Sequence, residues 1–195
     1  MRLDEFLRHF VGAAIAADRH YARSGDAADI EDGIVVWEEL ATAGDLGGAT
    51  PETAVDAYLS VSMLYARRYE ARGGGGDLSL ALHYLDGARR LVVAGSFADL
   101  QVRMSTAAWL MVRFQAEGRQ EDLDEAIAGW SGLLESDAGA LAAANLGRAL
   151  LVRHELTGDP TDLGGGRQLL GIASAEMPSD HPALADVELA LRAAG

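Results

Sequence analysis

Residues 113–130 read RFQAEGRQEDLDEAIAGW, and the punctuation is that of two helices joined by a tight turn. Phe114 closes the first helix, Gly118 ends it, Asp122 is placed to cap the second, and Trp130 falls two turns further in on the inward side. The same order occurs four times. Gly25, Gly73, Gly118 and Gly158 each stand four residues before Asp29, Asp77, Asp122 and Asp162. A ring precedes each glycine by four (Tyr21, Tyr69, Phe114, His154), and an apolar residue follows each aspartate (Ile30, Leu78, Leu123, Leu163). Four after the aspartate comes a small residue (Gly33, Ala81, Ala126, Gly166), and eight after it a large apolar one (Trp37, Leu85, Trp130, Leu170). The aspartates are 48, 45 and 40 residues apart, which is an internal repeat and decides the architecture.

Outward from that unit, composition bounds what the array can do. Of 195 residues, 49% are hydrophobic, enough for a sizeable core, and a repeat array makes residues 1–195 a single quasi-linear domain. The formal net charge is -14, so the basic surface that nucleic acid requires is missing. Every basic residue is arginine, which together with the many glycines fits a GC-rich bacterial genome. Without cysteine there are no disulfides, no thiol catalysis and no cysteine-based zinc site. Asp4 and Glu5 stand where a signal peptide would be apolar, and no apolar run approaches the ~18 residues of a membrane span. A cytoplasmic protein with neither nucleic-acid nor membrane partner is expected.

In chain order, Leu3, Phe6, Leu7, Phe10, Ala14 and Ala17 form the stripe of a helix over 3–23, which Gly25 stops. Asp29 starts a second helix that points Ile30, Ile34, Trp37 and Leu40 inward, and residues 41–50 read as a loop. Thr50-Pro51-Glu52 is a cap, a first-turn proline and an acid at the positive helix end, opening a helix to residue 72. Gly73 to Gly76 read as a flexible turn, followed by helices over 77–93 and 98–117. Asp122 with Glu125 makes a capping box for the next helix. Helices over 139–156 and 163–173 follow, the latter weakened at its start by Gly164 to Gly166. After Pro178, Asp180 or His181 caps a last helix opened by Pro182. The fold expected is all-α: an α-α superhelix of about four antiparallel pairs (3–43, 51–94, 97–135, 138–174) with a capping helix over 181–194.

These residues resemble the tetratricopeptide repeat family, and most closely its long-period variant in GC-rich bacteria, often found beside CHAT-type protease domains. That variant reads like R-Y-E-x-T-G-D-x-x-D-L-x-x-A-I; here 153–163 read RHELTGDPTDL and 122–127 read DLDEAI. Gly73 to Gly76 depart from its turn, and Arg167 stands where Ile or Leu is expected. No CHAT domain is present, so no protease activity carries over.

No catalytic motif emerges. Gly73 to Gly76 lack the following Gly-Lys-Ser/Thr of a phosphate loop and run into Asp77, whose charge repels phosphate. Of His9, His20, His83, His154 and His181, His83 has no acidic or histidine partner at ligand spacing and His154 holds the ring position of its repeat, so packing histidines are expected rather than ligands or general bases. Asp122, Asp124 and Glu125 lack calcium-loop spacing. No metal, no cofactor and no catalytic residue is assigned.

The resemblance implies that the first helix of each pair lines a concave face. Matching Leu146 and Gly147 to the family's Leu-Gly positions sets the register. The first helix then offers Arg8, Val11, Ile15, Asp18 and Arg19; the second repeat offers Asp56, Leu59, Met63, Ala66 and Arg67. The third offers Gln101, Met104, Ala108, Met111 and Val112, and the fourth Leu141, Ala144, Arg148, Leu151 and Val152. Within these, Arg19, Leu59, Met63, Arg67, Met104, Ala108, Met111, Arg148 and Leu151 are the groove expected to bind a peptide or helix, apolar and methionine-rich at its middle with arginine at its ends. Two other readings stay open: a homodimer scaffold whose interface is the groove, and an accessory protein that binds a small metabolite.

Overall fold

The computed structural model describes residues 27–45 and 50–194, which are helix and turn throughout. The described helices are α1 (Ala27–Asp45), α2 (Pro51–Arg72), α3 (Gly75–Arg89), α4 (Phe97–Glu117), α5 (Gln120–Ser131), α6 (Gly139–Thr157), α7 (Pro160–Glu176) and α8 (Leu184–Ala193). The expected helix over 3–23, its stop Gly25 and the groove residue Arg19 lie outside the described residues. The chain divides into two compact units, Met1–Val102 and Arg103–Gly195.

In the first unit, Thr50 caps α2 as expected: the Thr53 N–H donates to Thr50 Oγ1 over 3.2 Å, Pro51 is the first helical residue and Glu52 lies in the first turn. Ile30 and Leu40 of α1, Ala57, Val61 and Leu64 of α2, and Leu78, Ala81, Leu85 and Ala88 of α3 are fully or almost fully buried. Trp37 is 5% exposed, in the inward position the repeat gave it. The loop expected over 41–50 is shorter than that. Ala41 is buried beside Leu40, and α1 runs on to Asp45.

In the second unit Leu123, Ala126, Trp130 and Leu133 form the buried side of the α5 segment. Trp130 is 3% exposed, so the two tryptophans at equivalent repeat positions are both core residues. The last helix, α8, lays Val187 on a cluster of Ala143, Ala144, Leu170, Ala173 and Met177, as a cap should. It begins at Leu184, two residues later than Pro182 suggests, and the His181 ring Nδ1 accepts the Ala183 N–H over 3.2 Å ahead of it.

The turn within each pair has one construction. Gly73, Gly118 and Gly158 have φ of 71°, 70° and 74°, a left-handed conformation that glycine adopts without steric cost. Each donates its N–H over 2.7 Å to the carbonyl of the ring residue four before it: Tyr69, Phe114 and His154.

The helix starts, by contrast, lie three residues earlier than the aspartates. The N-cap residues of α3, α5 and α7 are Gly74, Arg119 and Asp159, and α1 begins before Asp29. Asp77, Asp122 and Asp162 are third residues of their helices and cap nothing, and the Asp122–Glu125 capping box does not form: the α5 N-cap has no side-chain bond. Gly75 and Gly76 form the first helical turn of α3 and are not a flexible loop. At α7 the capping side chain is Asp159, which accepts the Thr161 N–H over 2.8 Å with Pro160 following it, so this helix starts firmly despite Gly164 to Gly166.

Candidate functional site

The aspartates displaced from their expected capping role take part in a repeated ion pair. An arginine stands nine residues before each, just ahead of the ring residue. Arg113 Nε and Nη2 donate to the two carboxylate oxygens of Asp122, both over 2.7 Å. Arg153 binds Asp162 the same way at 2.8 and 2.7 Å, and Arg68 binds Asp77 at 3.1 and 2.7 Å. This two-pronged geometry is the strong form of a charge-assisted hydrogen bond. The hydrogen bond from Arg113 holds the Asp122 carboxyl below its ordinary value against the opposing effect of burial, and Arg153 does the same for Asp162. Each pair locks the end of one helix to the start of the next, across the glycine turn.

Two of these arginines also reach the helix that precedes their pair. Arg68 and Arg72 donate to Glu31 of α1 at 2.7 and 2.6 Å, and Arg153 lies 3.5 Å from Asp124 of α5. Glu31 and Asp124 hold the same repeat position, two residues after Asp29 and Asp122. The nine-residue Arg–Asp spacing was visible in the sequence for three repeats; nine before Asp29 stands His20.

The first unit has a second polar cluster. Glu38 of α1 accepts the phenol O–H groups of both Tyr65 on α2 and Tyr84 on α3, the latter over 2.8 Å. The two rings lie nearly parallel with centroids 5.8 Å apart, and the Arg68 guanidinium sits 4.8 Å above Tyr65. Burial, then the bond to Glu38, pushes both phenols well above their ordinary value. The residues equivalent to Tyr65 in later repeats are Leu110 and Leu150, so the cluster belongs to α1–α3 alone. Sequence reasoning missed it, because nothing local marks Glu38 as the partner of two distant phenols.

The groove candidates separate into three groups. Leu59, Met63 and Arg67 on α2, and Met104, Ala108 and Met111 on α4, are half-buried, as is Arg148 on α6. Ala66 and Ala144 are 1% exposed and belong to the helix cores. Leu151 is the correction among the groove residues chosen: its side chain packs on Gly166 of α7 and borders the C-terminal core cluster. The reason is a close approach of two glycines. A Cβ on Gly147 would stand 3.0 Å from the Gly166 carbonyl oxygen, and one on Gly166 would stand 2.9 Å from that of Gly147 and from Leu151 Cδ2. With α6 and α7 this near, Leu151, one turn past Gly147, fills the seam between them.

The arginines divide as sharply. Arg67 has a partner. The others described are bound to carboxylates or, for Arg103 and Arg167, to the carbonyl oxygens of Gly132 and Ala194. Among the described residues Arg148 is the one arginine without a hydrogen-bond or charge partner, and Asn145, one turn before it, has none either. Among the described histidines, His83 sits edge-on to Tyr84 and His154 Nδ1 lies 2.7 Å from the Asp159 carbonyl oxygen. Among the described residues no group of three His, Asp or Glu could hold a metal ion, and no helix is long and apolar enough to cross a membrane.

Antiparallel helix pairs, repeated with the same turn and the same arginine clamp, define an all-α helical-repeat protein, a class whose members commonly serve as interaction scaffolds. No family model and no curated protein matches the sequence. Among solved structures, the chain is similar over its whole length to 83% of BtubC (BKLC) from P. vanneervenii, with a TM-score of 0.53 and 16% identity, which is a likeness of fold. The de novo designed helical repeat protein DHR64 aligns with 97% of this chain and 91% of its own, at a TM-score of 0.42 and 20% identity.

Proposed function

We propose that the chain is a non-catalytic protein–protein interaction module of the tetratricopeptide-like kind, holding a partner's peptide or helix on the first helices of its second unit. What supports this reading is that Met104, Ala108 and Met111 on α4, and Arg148 on α6, are each partly exposed. These side chains sit one step around the helix from Ala107 and Leu110, which are buried. Methionine adapts its shape to a partner at little cost, and an apolar stripe with a cation at its end suits an amphipathic segment. In the first unit, Leu59 and Met63 present an equivalent half-exposed stripe on α2. The match of RHELTGDPTDL to the long-period repeat motif supports the family reading, and a net charge of -14 speaks against nucleic acid as the partner.

The test is Met104→Glu. A charge placed there is solvated in the free protein but stranded among apolar atoms in a complex. Affinity capture from native lysate should lose its specific partner while circular dichroism stays unchanged. If Met104→Glu unfolds the chain, the methionine is packing and the reading fails. Sedimentation of the purified chain separates the scaffold alternative: a dimer that Met104→Glu dissociates makes a second copy the occupant.

A further inference from the structure

We infer that the seam between α1 and α3, at Val35, Glu38 and Leu80, is a docking site for a lysine side chain of a partner protein. The site is independent of the stripe proposed above. Tyr65, buried beneath the seam, lies by helical register on the side of α2 away from Leu59, Met63 and Arg67.

Two polar layers tie α1 to α3 through α2. In one, Arg68 joins Glu31 to Asp77; in the other, Glu38 receives the phenols of Tyr65 and Tyr84. Val35 stands between Glu31 and Glu38 on α1, and Leu80 between Asp77 and Tyr84 on α3, each three or four residues from its neighbours. The two layers therefore hold Val35 and Leu80 level with each other on the seam. Both are exposed, at 56% and 38%. The repeat calls for neither of them. The positions equivalent to Leu80 hold Asp32, Glu125 and Gly165, and those equivalent to Val35 hold His83, Ala128 and Gln168.

Glu38 brings an unused oxygen to this apolar pair. Both phenols donate to Oε1, and among the described residues nothing donates to Oε2. The buried side-chain polar atoms without a partner among those residues are Trp37 Nε1, Ser62 Oγ and Trp130 Nε1, so Glu38 Oε2 is open to solvent. Two bonds on the other oxygen already orient the carboxylate, and a ligand need not order it.

Charge and shape select the occupant. Asp29, Glu31, Asp32, Glu38, Glu39 and Asp45 make α1 acidic without one basic residue, in a chain of net charge -14, so a cation is drawn to it. A guanidinium pairs best through two oxygens, and here one is free. A lysine ammonium is a compact single charge on a four-carbon stem. Its head fits Oε2 with the Tyr84 ring beside it, and its stem covers Val35 and Leu80. Lysine is absent from this sequence, so a second copy of it does not supply that side chain.

Three pools of short fluorescent peptides, blocked at both ends and randomised over Leu, Ala, Ser and Gly, test the assignment by anisotropy. The central residue is Lys, Arg or norleucine. The Lys pool should bind about tenfold more tightly than the norleucine pool, the size of one charge-assisted hydrogen bond, with the Arg pool between them. Glu38→Gln keeps an acceptor for both phenols and removes the charge, so it should erase the Lys preference at an unchanged melting temperature. Leu80→Ser alters an exposed residue and should weaken the Lys and norleucine pools alike. Equal binding of these two pools, or no binding by either, overturns the site. Arg binding as tightly as Lys overturns the single-oxygen assignment. Loss of Lys binding in Met104→Glu moves the peptides to the methionine stripe, which overturns this site and leaves the interaction module standing. If Glu38→Gln lowers the melting temperature, Leu80→Ser decides: undiminished binding there overturns the proposal.

Discussion

Replacing Asp122 with alanine removes both acceptors from Arg113 and tests whether the repeated clamp stabilises the fold. Asp122 is 2% exposed and the Arg113 side chain 14%, so the freed guanidinium stays mostly out of water. Removing one member of a buried pair costs about 3–5 kcal/mol, since the charge left behind has lost its solvation and its partner. Arg113 retains a little solvent and the weaker fields of Glu117 and Glu125, which places the expected loss near the lower end, about 3 kcal/mol. The equivalent substitutions should cost less. Without Asp162, Arg153 is 31% exposed and still has Asp124 at 3.5 Å; without Asp77, Arg68 still has Glu31 at 2.7 Å. Both should lose about 1–2 kcal/mol. Urea unfolding followed by circular dichroism, with the three variants in one buffer, gives the ranking directly. Equal losses in all three, or less than about 1 kcal/mol for Asp122→Ala, would refute the reasoning, because the difference lies in the second acid and in solvent access. The double substitution Arg113→Met with Asp122→Leu should recover most of the loss, as apolar replacements of buried pairs commonly do.

The remaining predictions concern acid, turn and core. Asp122 and Asp162 have folded values below the ordinary 3.8, so their contribution is complete above it and is lost as pH falls through the depressed values. Stability should therefore decline with acidification below that point, and the Asp122→Asn/Asp162→Asn protein should show a flatter dependence by denaturant titration across pH. Gly118→Val meets no neighbour within 4 Å, so its cost is backbone strain at φ 70°, about 1–2 kcal/mol in the same unfolding assay. Trp130→Ala should lose about 3–5 kcal/mol through lost burial and the cavity left, and a loss below ~1 kcal/mol contradicts its place in the core.

What was legible in the sequence was what neighbours along the chain decide. Thr50-Pro51-Glu52 specifies a helix start with its own atoms, and the glycines four after each ring specify a reversal by their backbone alone. The large residue eight after each aspartate marked Trp37 and Trp130 because burial follows helical phase. The aspartates were misread because a local rule and a longer-range one compete for the same residue. Asp near a helix start is normally a cap, but here Gly74, Arg119 and Asp159 already hold that position. The side chain at the third helical position turns back toward the arginine at the end of the preceding helix instead. Leu151 was misplaced for a related reason. Its own helix gives it a groove phase, and only the approach of Gly147 to Gly166 on another helix draws it into the seam.

The repeat therefore sorts its own residues by whether they are copied. The clamp arginine, the ring, the turn glycine and the paired aspartate recur because each pair needs the same reversal and the same lock. Five residues before the clamp arginine the copies diverge: Met63, Ala108 and Arg148 occupy one repeat position. Nine before it stand Leu59, Met104 and Ala144, and two before it Ala66, Met111 and Leu151. Packing explains part of this divergence, since Ala66, Ala144 and Leu151 serve the helix cores of their own units. It does not explain Arg148. Its counterparts Met63 and Ala108 show that an uncharged side chain fills the same place in the repeat, so the charge at Arg148 is not a requirement of the fold.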